Sequence, residues 1–176
     1  NSNYWNWETG WFYDQAHLDT VLVVTQYVLS SGLSNLPPID IRPIRFKEAL
    51  DQIGSEGIFV MNMMSSSIST QMTALRNASD SGIIIKRLEL GCELNRNNGF
   101  NEIKFPSAGD YARACNIWID SIRALIPDVK IGVVGGNRDD DSTRSWRWND
   151  SICSIVNSAD ALIWHLYIYL KDKDTV

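Results

Sequence analysis

Two glutamates, Glu89 and Glu93, lie at the end of a hydrophobic segment whose residue types predict a buried β-strand. Because side chains alternate across a strand, we expect Glu89 and Glu93 to share one face and Leu88, Leu90 and Cys92 to share the other. Two carboxylates on one face of a buried strand are costly unless they are paired or used in chemistry. We expect Glu93 at the carboxyl end of the strand, where α/β folds place their sites. The other interpretation makes Glu93 a solvated loop residue and Glu89 part of a core ion pair.

His165 is the second candidate functional residue, in another hydrophobic segment that predicts a strand. In that strand Ile163, His165 and Tyr167 would share a face. A histidine at a strand end can orient a carboxylate or bind a ligand, although a lone histidine is more often structural. His17 has no matching partner, so the sequence predicts no two-histidine metal site and no cofactor.

A glycine-rich turn, Gly132–Asn137, follows another predicted strand and could cradle a phosphate group. It lacks the Lys-Ser/Thr pair of a P-loop and the GxGxxG pattern of a dinucleotide-binding fold. A plain strand-ending turn is therefore the favoured interpretation. The alternative is an α/β protein that binds a phosphate ligand at Gly135 and Gly136.

The elements that must position these residues are strands that alternate four times with helices after residue 44. The strands are β-branched and nearly continuous in hydrophobicity, which is typical of a parallel sheet covered by helices. Two α/β architectures fit, a doubly wound open sheet and a (β/α)8 TIM barrel. The predicted strands are Ile58–Met63, Ile83–Gly91, Val129–Val134 and Ala161–Tyr167. Helices are predicted in part of Asp14–Ser30, over Arg45–Glu56, after a cap within Ser65–Ser67, from Ser107 to Pro127, and near Trp146–Asn157. A polar loop is predicted over Asn95–Pro106.

Length and charge limit the classes of protein to consider. The chain has 176 residues, of which 44% are hydrophobic and 21% charged, as expected for one globular domain. Lys and Arg total 16 against 21 Asp and Glu, a net charge of −5, which argues against a nucleic-acid partner. No apolar run reaches the roughly 18 residues that a membrane span needs.

Cysteines and sequons bear on the compartment. The cysteines form no CxxC pair, so a structural zinc site is poorly supported; they are Cys92, Cys115 and Cys153. Two N-glycosylation sequons begin at Asn77 and Asn149, and they matter only in a secreted protein. The sequence begins without Met and without a leader, so we expect either a removed leader or a start partway through a longer chain.

Five segments taken together resemble the (β/α)8 retaining glycosidases of clan A. The segment Leu88–Glu93 is similar to the family's strand-four signature, Glu-Leu-Gly-Asn-Glu. The segment Asp160–Tyr167 is similar to strand six with its His-x-Tyr ending. The aromatic opening Asn3–Gly10 resembles the loop after barrel strand two, and Phe59–Met63 and Lys130–Val133 resemble strands three and five.

The resemblance implies a carbohydrate substrate and gives Glu93 the role of general acid/base. The substrate-binding residues that it implies are Cys92, Asn62, His165, Tyr167, Trp5 and Trp7. The family has Asn at the position of Cys92, and that Asn bonds the sugar hydroxyl next to the reacting carbon. A thiol is a weak donor and acceptor, so we expect weaker transition-state stabilisation here.

The resemblance covers barrel strands three to six and the loop after strand two. The nucleophilic Glu of such enzymes lies on strand seven, and no Glu follows Tyr169. A complete barrel takes about 250 residues, so we expect residues 1–176 to be a fragment of one catalytic barrel domain, completed by the rest of the barrel or by self-assembly partners. The expected function is a secreted or cell-surface retaining glycosidase. The alternative is an inactive extracellular structural or sugar-binding glycoprotein, for example in a surface filament.

Overall fold

The computed structural model describes residues 5–6, 11–12, 43–97, 99–136, 144 and 146–165. The strands are β1 (Trp5–Asn6), β2 (Trp11–Phe12), β3 (Ile58–Val60), β4 (Arg87–Leu90), β5 (Lys130–Val134) and β6 (Ala161–Ile163). The helices are α1 (Pro43–Ile53), α2 (Ile68–Asp80), α3 (Gly99–Lys104), α4 (Ala108–Leu125) and α5 (Trp148–Ile155). β1 and β2 form an antiparallel pair, and the other four strands form one parallel sheet.

The parallel sheet has the strand order β3–β4–β5–β6, which is the order of the strands in the sequence. Each connection between two consecutive strands of this sheet contains at least one helix and leads to the adjacent strand. A doubly wound sheet reverses its strand order partway along, whereas a barrel continues in one direction. The topology therefore favours the barrel over the doubly wound alternative.

The helices cover one face of this sheet. Phe59, Leu88 and Ile131 stand opposite one another in register, and all three are buried in the core. The helices contribute buried side chains to the same core, among them Met72, Leu75, Ile119 and Ile122. On the other face, the register-matched Arg87 and Lys130 are exposed, as is Ile58.

Gly132 lies on the face of the sheet opposite the helices that the structure describes. A Cβ at this position would come within 2.2 Å of Ile163 Cδ1, so only glycine leaves room for the isoleucine of the neighbouring strand. Gly132 also stands opposite Glu89 in register. The isoleucine side chain of β6 thus packs against β5 on the same face as Glu89.

Two helix starts confirm the sequence prediction. Ser67 Oγ accepts a hydrogen bond from Thr70 N–H at 3.1 Å and caps α2. Ser107 and Asp110 form a capping box at the start of α4. Such caps satisfy backbone N–H groups that have no partner inside the helix.

The strands are shorter than predicted. β3 ends at Val60 because the Asn62 side chain accepts hydrogen bonds from Met64 N–H and Ser65 N–H and turns the chain. β4 begins only at Arg87; the backbone N–H of Ile83 bonds to the end of α2 instead of to a neighbouring strand. β6 ends at Ile163, and residues 166–176 lie outside the described part of the chain.

The predicted loop over Asn95–Pro106 contains the six-residue helix α3. So short a helix gives no hydrophobic period that sequence analysis could detect. The predicted partial helix over Asp14–Ser30 lies outside the described residues. Within the described residues, no helix is both long and apolar enough to cross a membrane.

Asp160 joins three groups at the amino-terminal ends of β5 and β6. Its carboxylate accepts hydrogen bonds from Ile131 N–H at 2.9 Å, from Arg123 at 2.9 Å and from Lys130 at 3.0 Å. The backbone hydrogen bond from Ile131, followed by the bond from Lys130, lowers the pKa of Asp160 below its ordinary value of 3.8. This cluster fixes the strand ends that lie opposite the candidate site.

We expect Asp160→Ala to reduce the free energy of unfolding by about 1.5–3 kcal/mol at neutral pH, because Ile131 N–H and two cations lose their acceptor. A carboxyl group whose pKa is lower in the folded than in the unfolded state stabilises the folded protein at pH values above its unfolded-state pKa. This stabilisation is lost as the pH falls through the folded-state pKa. The difference from wild type should therefore shrink below about pH 4. Urea unfolding at several pH values measures it, with Asp120→Ala on the exposed side of α4 as control. A difference independent of pH would contradict the ionic role.

Candidate active site

The turn that follows β4 has two residues with left-handed backbone, Gly91 with φ 87° and Glu93 with φ 53°. This backbone breaks the alternation of a strand. Cys92 Sγ consequently lies 3.8 Å from His165 Nδ1, on the side of the sheet that Glu93 faces. The prediction that Cys92 shares a face with Leu88 and Leu90 was therefore wrong, and the left-handed Gly91 is the reason.

His165 lies between two carboxylates. Glu93 Oε1 is 3.5 Å from His165 Nδ1, and Glu89 Oε2 is 4.0 Å from His165 Nε2. The side chains are partly shielded, with exposed fractions of 34% for His165, 22% for Glu93 and 17% for Glu89. The structure thus brings together Glu89 and Glu93, which the sequence places in and at the end of one predicted strand, and His165 of another.

The second oxygen of Glu93 faces a guanidinium group. Glu93 Oε2 is 3.0 Å from Arg96 Nε, while Oε1 faces the imidazole of His165. Glu93 is therefore neither a freely solvated loop carboxylate nor a buried core residue. Both of its oxygens are oriented by neighbours, and the carboxyl group stays accessible from the cleft.

Burial shifts the pKa values of two neighbouring groups upward. Desolvation raises the pKa of Glu89 above its ordinary value, and the nearby His165 opposes this shift. Desolvation also raises the pKa of the Cys92 thiol, with further increases from the negative charges of Glu93 and Glu89. The thiol is therefore protonated at neutral pH and is a weak hydrogen-bonding group in the site.

A cleft opens at the carboxyl ends of β4, β5 and β6. Glu93 and His165 form one wall with Arg96. The described residues that line it are Glu93, Asn95, Arg96, Val134, Gly135, Ile163 and His165. A ligand in this cleft would contact the Glu93 carboxyl group and the imidazole together. Such a pair can transfer a proton to or from a bound substrate.

Among the described residues, no group of three or more His, Cys, Asp or Glu side chains is arranged to hold a metal ion.

Asn62 has a structural role in place of the predicted contact with substrate. Its side chain is fully buried, accepts from Met64 N–H and Ser65 N–H, and donates to Ser65 Oγ at 2.9 Å. Gln71 Oε1 accepts from the Asn62 backbone N–H at 2.9 Å. A buried amide engaged in this way does not line the cleft, so the structure gives no support to the predicted contact between Asn62 and a sugar.

The aromatic candidates are only partly covered by the structure. Trp5 is described as backbone in β1, and Trp7 and Tyr167 lie outside the described residues. Trp164 packs over Gly135, where a Cβ would come within 2.3 Å of its Nε1. Its side chain is 61% exposed and is not part of the cleft lining.

The two sequons differ in their surroundings. Asn77 is exposed on α2 and leaves its side chain open to solvent. Asn149 donates to Gly136 O at 3.0 Å and accepts from Gly136 N–H at 2.8 Å. A glycan on Asn149 would replace one amide hydrogen of this pair, so Asn77 is the better placed acceptor.

Sequence reasoning missed Arg144, a buried residue that donates hydrogen bonds to backbone carbonyls beyond Glu93. It lies in a polar segment with no periodicity, next to three aspartates that suggest a solvated loop. No signal in a single sequence distinguishes this arginine from a surface one.

No protein-family model and no curated protein matches the sequence. Among solved structures, the arabinose complex of α-L-arabinofuranosidase from Thermotoga maritima matches 92% of this chain, with a TM-score of 0.59 and 14% sequence identity. The described sheet and helices form part of a TIM barrel. The match covers only 34% of that enzyme chain, so this chain spans about a third of its length.

A second solved structure, the thermostable GH51 α-L-arabinofuranosidase from Thermotoga petrophila, matches 61% of this chain and 24% of its own. Its TM-score is 0.48 and its sequence identity 18%. At 14% identity, the likeness to the first structure concerns the fold alone. The activity must be argued from the site.

Proposed function

We propose that this chain carries the acid/base half of the active site of a retaining glycosidase. The observation that supports this most strongly is the meeting of Glu93 and His165 in one cleft at the carboxyl ends of β4 and β6. TIM-barrel enzymes carry their catalytic groups at this end of the strands. The fold alone supports a glycosidase-like protein, and the paired side chains support the chemistry.

In the proposed mechanism, Glu93 first protonates the glycosidic oxygen and then removes a proton from the attacking water. His165 Nδ1 orients Oε1 of Glu93, and Arg96 holds the other oxygen. A nucleophilic carboxylate about 5–5.5 Å from Glu93 completes a retaining site. We propose that it is a glutamate on a later barrel strand, as the resemblance implies.

The proposed substrate is an extracellular polysaccharide or glycoconjugate. Because the fold matches an α-L-arabinofuranosidase, an α-L-arabinofuranoside is the first compound to test. The full-length protein, which includes the later barrel strands, is incubated with a panel of 4-nitrophenyl glycosides, and the configuration of the first-formed sugar is read by NMR. Hydrolysis with retained configuration is expected. Inversion, or hydrolysis of no member of the panel, would contradict the proposal.

Replacing Cys92 by Asn is expected to raise kcat/KM roughly tenfold on the best substrate of that panel, because an amide makes one good hydrogen bond that a thiol does not. The change is measured with initial rates. Cys153→Asn, at an exposed cysteine on α5, is the matched control and should leave the rate unchanged. An unchanged rate in Cys92→Asn would argue against a sugar hydroxyl at this position.

A second candidate function is a non-catalytic sugar-binding or structural glycoprotein on the same barrel. The neutral thiol of Cys92 favours it, because it stands where the resembling enzymes have an amide. Binding of glycosides from the same panel without hydrolysis, measured by calorimetry, would favour this function. In either case we propose a secreted or cell-surface protein, for which the exposed Asn77 is a suitable glycan acceptor.

A further inference from the structure

The turn that carries Glu93 is held at its first end by a buried tyrosine. Tyr111 of α4 is fully buried, and its hydroxyl donates to Leu90 O at 2.6 Å and accepts from Val134 N–H at 2.8 Å. Leu90 and Val134 are the last residues of β4 and β5. The hydroxyl therefore fastens together two strand ends at the point where the turn begins.

The other end of the turn is held by a buried arginine. Arg144, only 6% exposed, donates to Leu94 O at 2.5 Å and to Arg96 O at 2.9 Å, and its Nε donates to Phe105 O at 2.8 Å. Leu94 directly follows Glu93. Three separate carbonyls are thus fixed by one planar side chain, whose geometry a lysine does not reproduce.

Trp148 connects the two holding residues. Its ring stacks on Tyr111 at a centroid distance of 5.5 Å, and the Arg144 guanidinium lies 5.0 Å from its ring centroid. Its Nε1 donates to Val134 O at 2.9 Å. The three side chains form one buried layer next to the turn, and none of them lines the cleft.

The backbone of the turn explains why such a layer is needed. Glu93 has φ 53°, a conformation uncommon for a residue with a side chain. Backbone in such regions persists only when its surroundings determine it from several sides. Without bonds at Leu90 and Leu94, the turn can relax, and the Glu93 carboxyl group would leave the imidazole.

We propose that Tyr111 and Arg144 are positioning residues that hold the Gly91–Glu93 turn and so present Glu93 to His165. The effect on catalysis rests on the proposed function, whereas the effect on the turn does not. The two residues act through the backbone and touch neither substrate nor the reacting atoms.

The test compares Tyr111→Phe and Arg144→Lys with a matched control, Asn116→Ala. Tyr111→Phe keeps the stacked ring and removes only the hydroxyl, and Arg144→Lys keeps the charge. Asn116 makes the same kind of bridge, donating to Ile155 O at 2.9 Å and accepting from Asn157 N–H at 3.1 Å, near the far end of α5. All three variants therefore lose side-chain bonds to backbone, but only two lose them at the turn.

Hydrogen exchange of the peptide covering residues 91–97 is the main measurement. We expect exchange there to be roughly tenfold faster in Tyr111→Phe and Arg144→Lys than in wild type, and unchanged in Asn116→Ala. Alkylation of Cys92, read by peptide mass, should also become faster in the two turn variants, with the exposed Cys153 as internal reference. If neither quantity changes more in Tyr111→Phe than in Asn116→Ala, the positioning role is overturned.

Kinetics separate this proposal from the function on which it rests. In an active wild-type protein, the two turn variants should lower kcat with little change in KM, since they misplace Glu93 without touching the sugar. A changed exchange rate in a protein that hydrolyses no glycoside would support the positioning role and overturn the proposed function. An unchanged kcat despite faster exchange would overturn the link between the turn and catalysis.

Discussion

Glu93→Gln is expected to lower kcat by about 10²–10⁴-fold, the contribution that a positioned general acid/base makes. Glutamine has the shape of glutamate and can still contact Arg96 and His165, but it neither gives nor takes a proton. The turn and the fold should therefore be kept. Initial rates on the best aryl glycoside measure the loss, and circular dichroism checks the fold.

Glu48→Gln is the control for this substitution, because Glu48 is an exposed glutamate on α1 that pairs only with a helical neighbour in the described contacts, Arg45. It should hydrolyse the substrate at the wild-type rate. In Glu93→Gln, the covalent glycosyl-enzyme intermediate should form faster from substrates whose leaving group needs little protonation than from substrates whose leaving group must be protonated. A near-normal kcat in Glu93→Gln on every substrate would remove Glu93 from the mechanism.

Trp148→Ala is expected to reduce the free energy of unfolding by about 3–5 kcal/mol, the usual cost of removing a fully buried aromatic side chain. The substitution removes the stacking on Tyr111, the bond to Val134 O and the ring under Arg144. It also leaves a cavity that the rigid strand ends cannot fill. Urea unfolding followed by tryptophan fluorescence and by circular dichroism measures the change.

Trp146→Ala, two residues earlier, provides the matched control, since its side chain is 53% exposed. It should change the free energy of unfolding by no more than about 0.5 kcal/mol. Equal effects of the two substitutions would contradict the claim that a buried layer around Trp148 supports the site.

The order of strands and helices could be predicted because most of the strands lie in short hydrophobic runs that are separated by turn residues and helical periods. The segment around Ile131 and Val133 shows this clearly, and Ser107 and Ser67 mark helix starts by their side chains. Strand ends could not be predicted. The end of β3, for example, depends on the hydrogen bonds of Asn62, which hydropathy does not report.

The position of Glu93 at the end of β4 could be predicted from the same pattern, and so could the candidacy of His165. The face on which Cys92 lies could not, because Gly91 adopts a left-handed conformation that interrupts the strand. Arg144 was missed since its burial arises from contacts with residues far away in the sequence, such as Phe105 at 39 positions and Leu94 at 50 positions. Contacts of that range are decided by the fold and leave no local trace.

The most direct test of the central claim is the rescue of Glu93→Ala by azide. Azide needs no general base to act as a nucleophile. It can therefore replace water in the attack on the covalent glycosyl-enzyme intermediate when the acid/base residue is missing. With a 4-nitrophenyl glycoside, we expect azide to restore turnover and to give a glycosyl azide of retained configuration, identified by NMR. A variant as active as wild type without azide, or one that azide does not accelerate, would contradict the assignment of Glu93 as the acid/base.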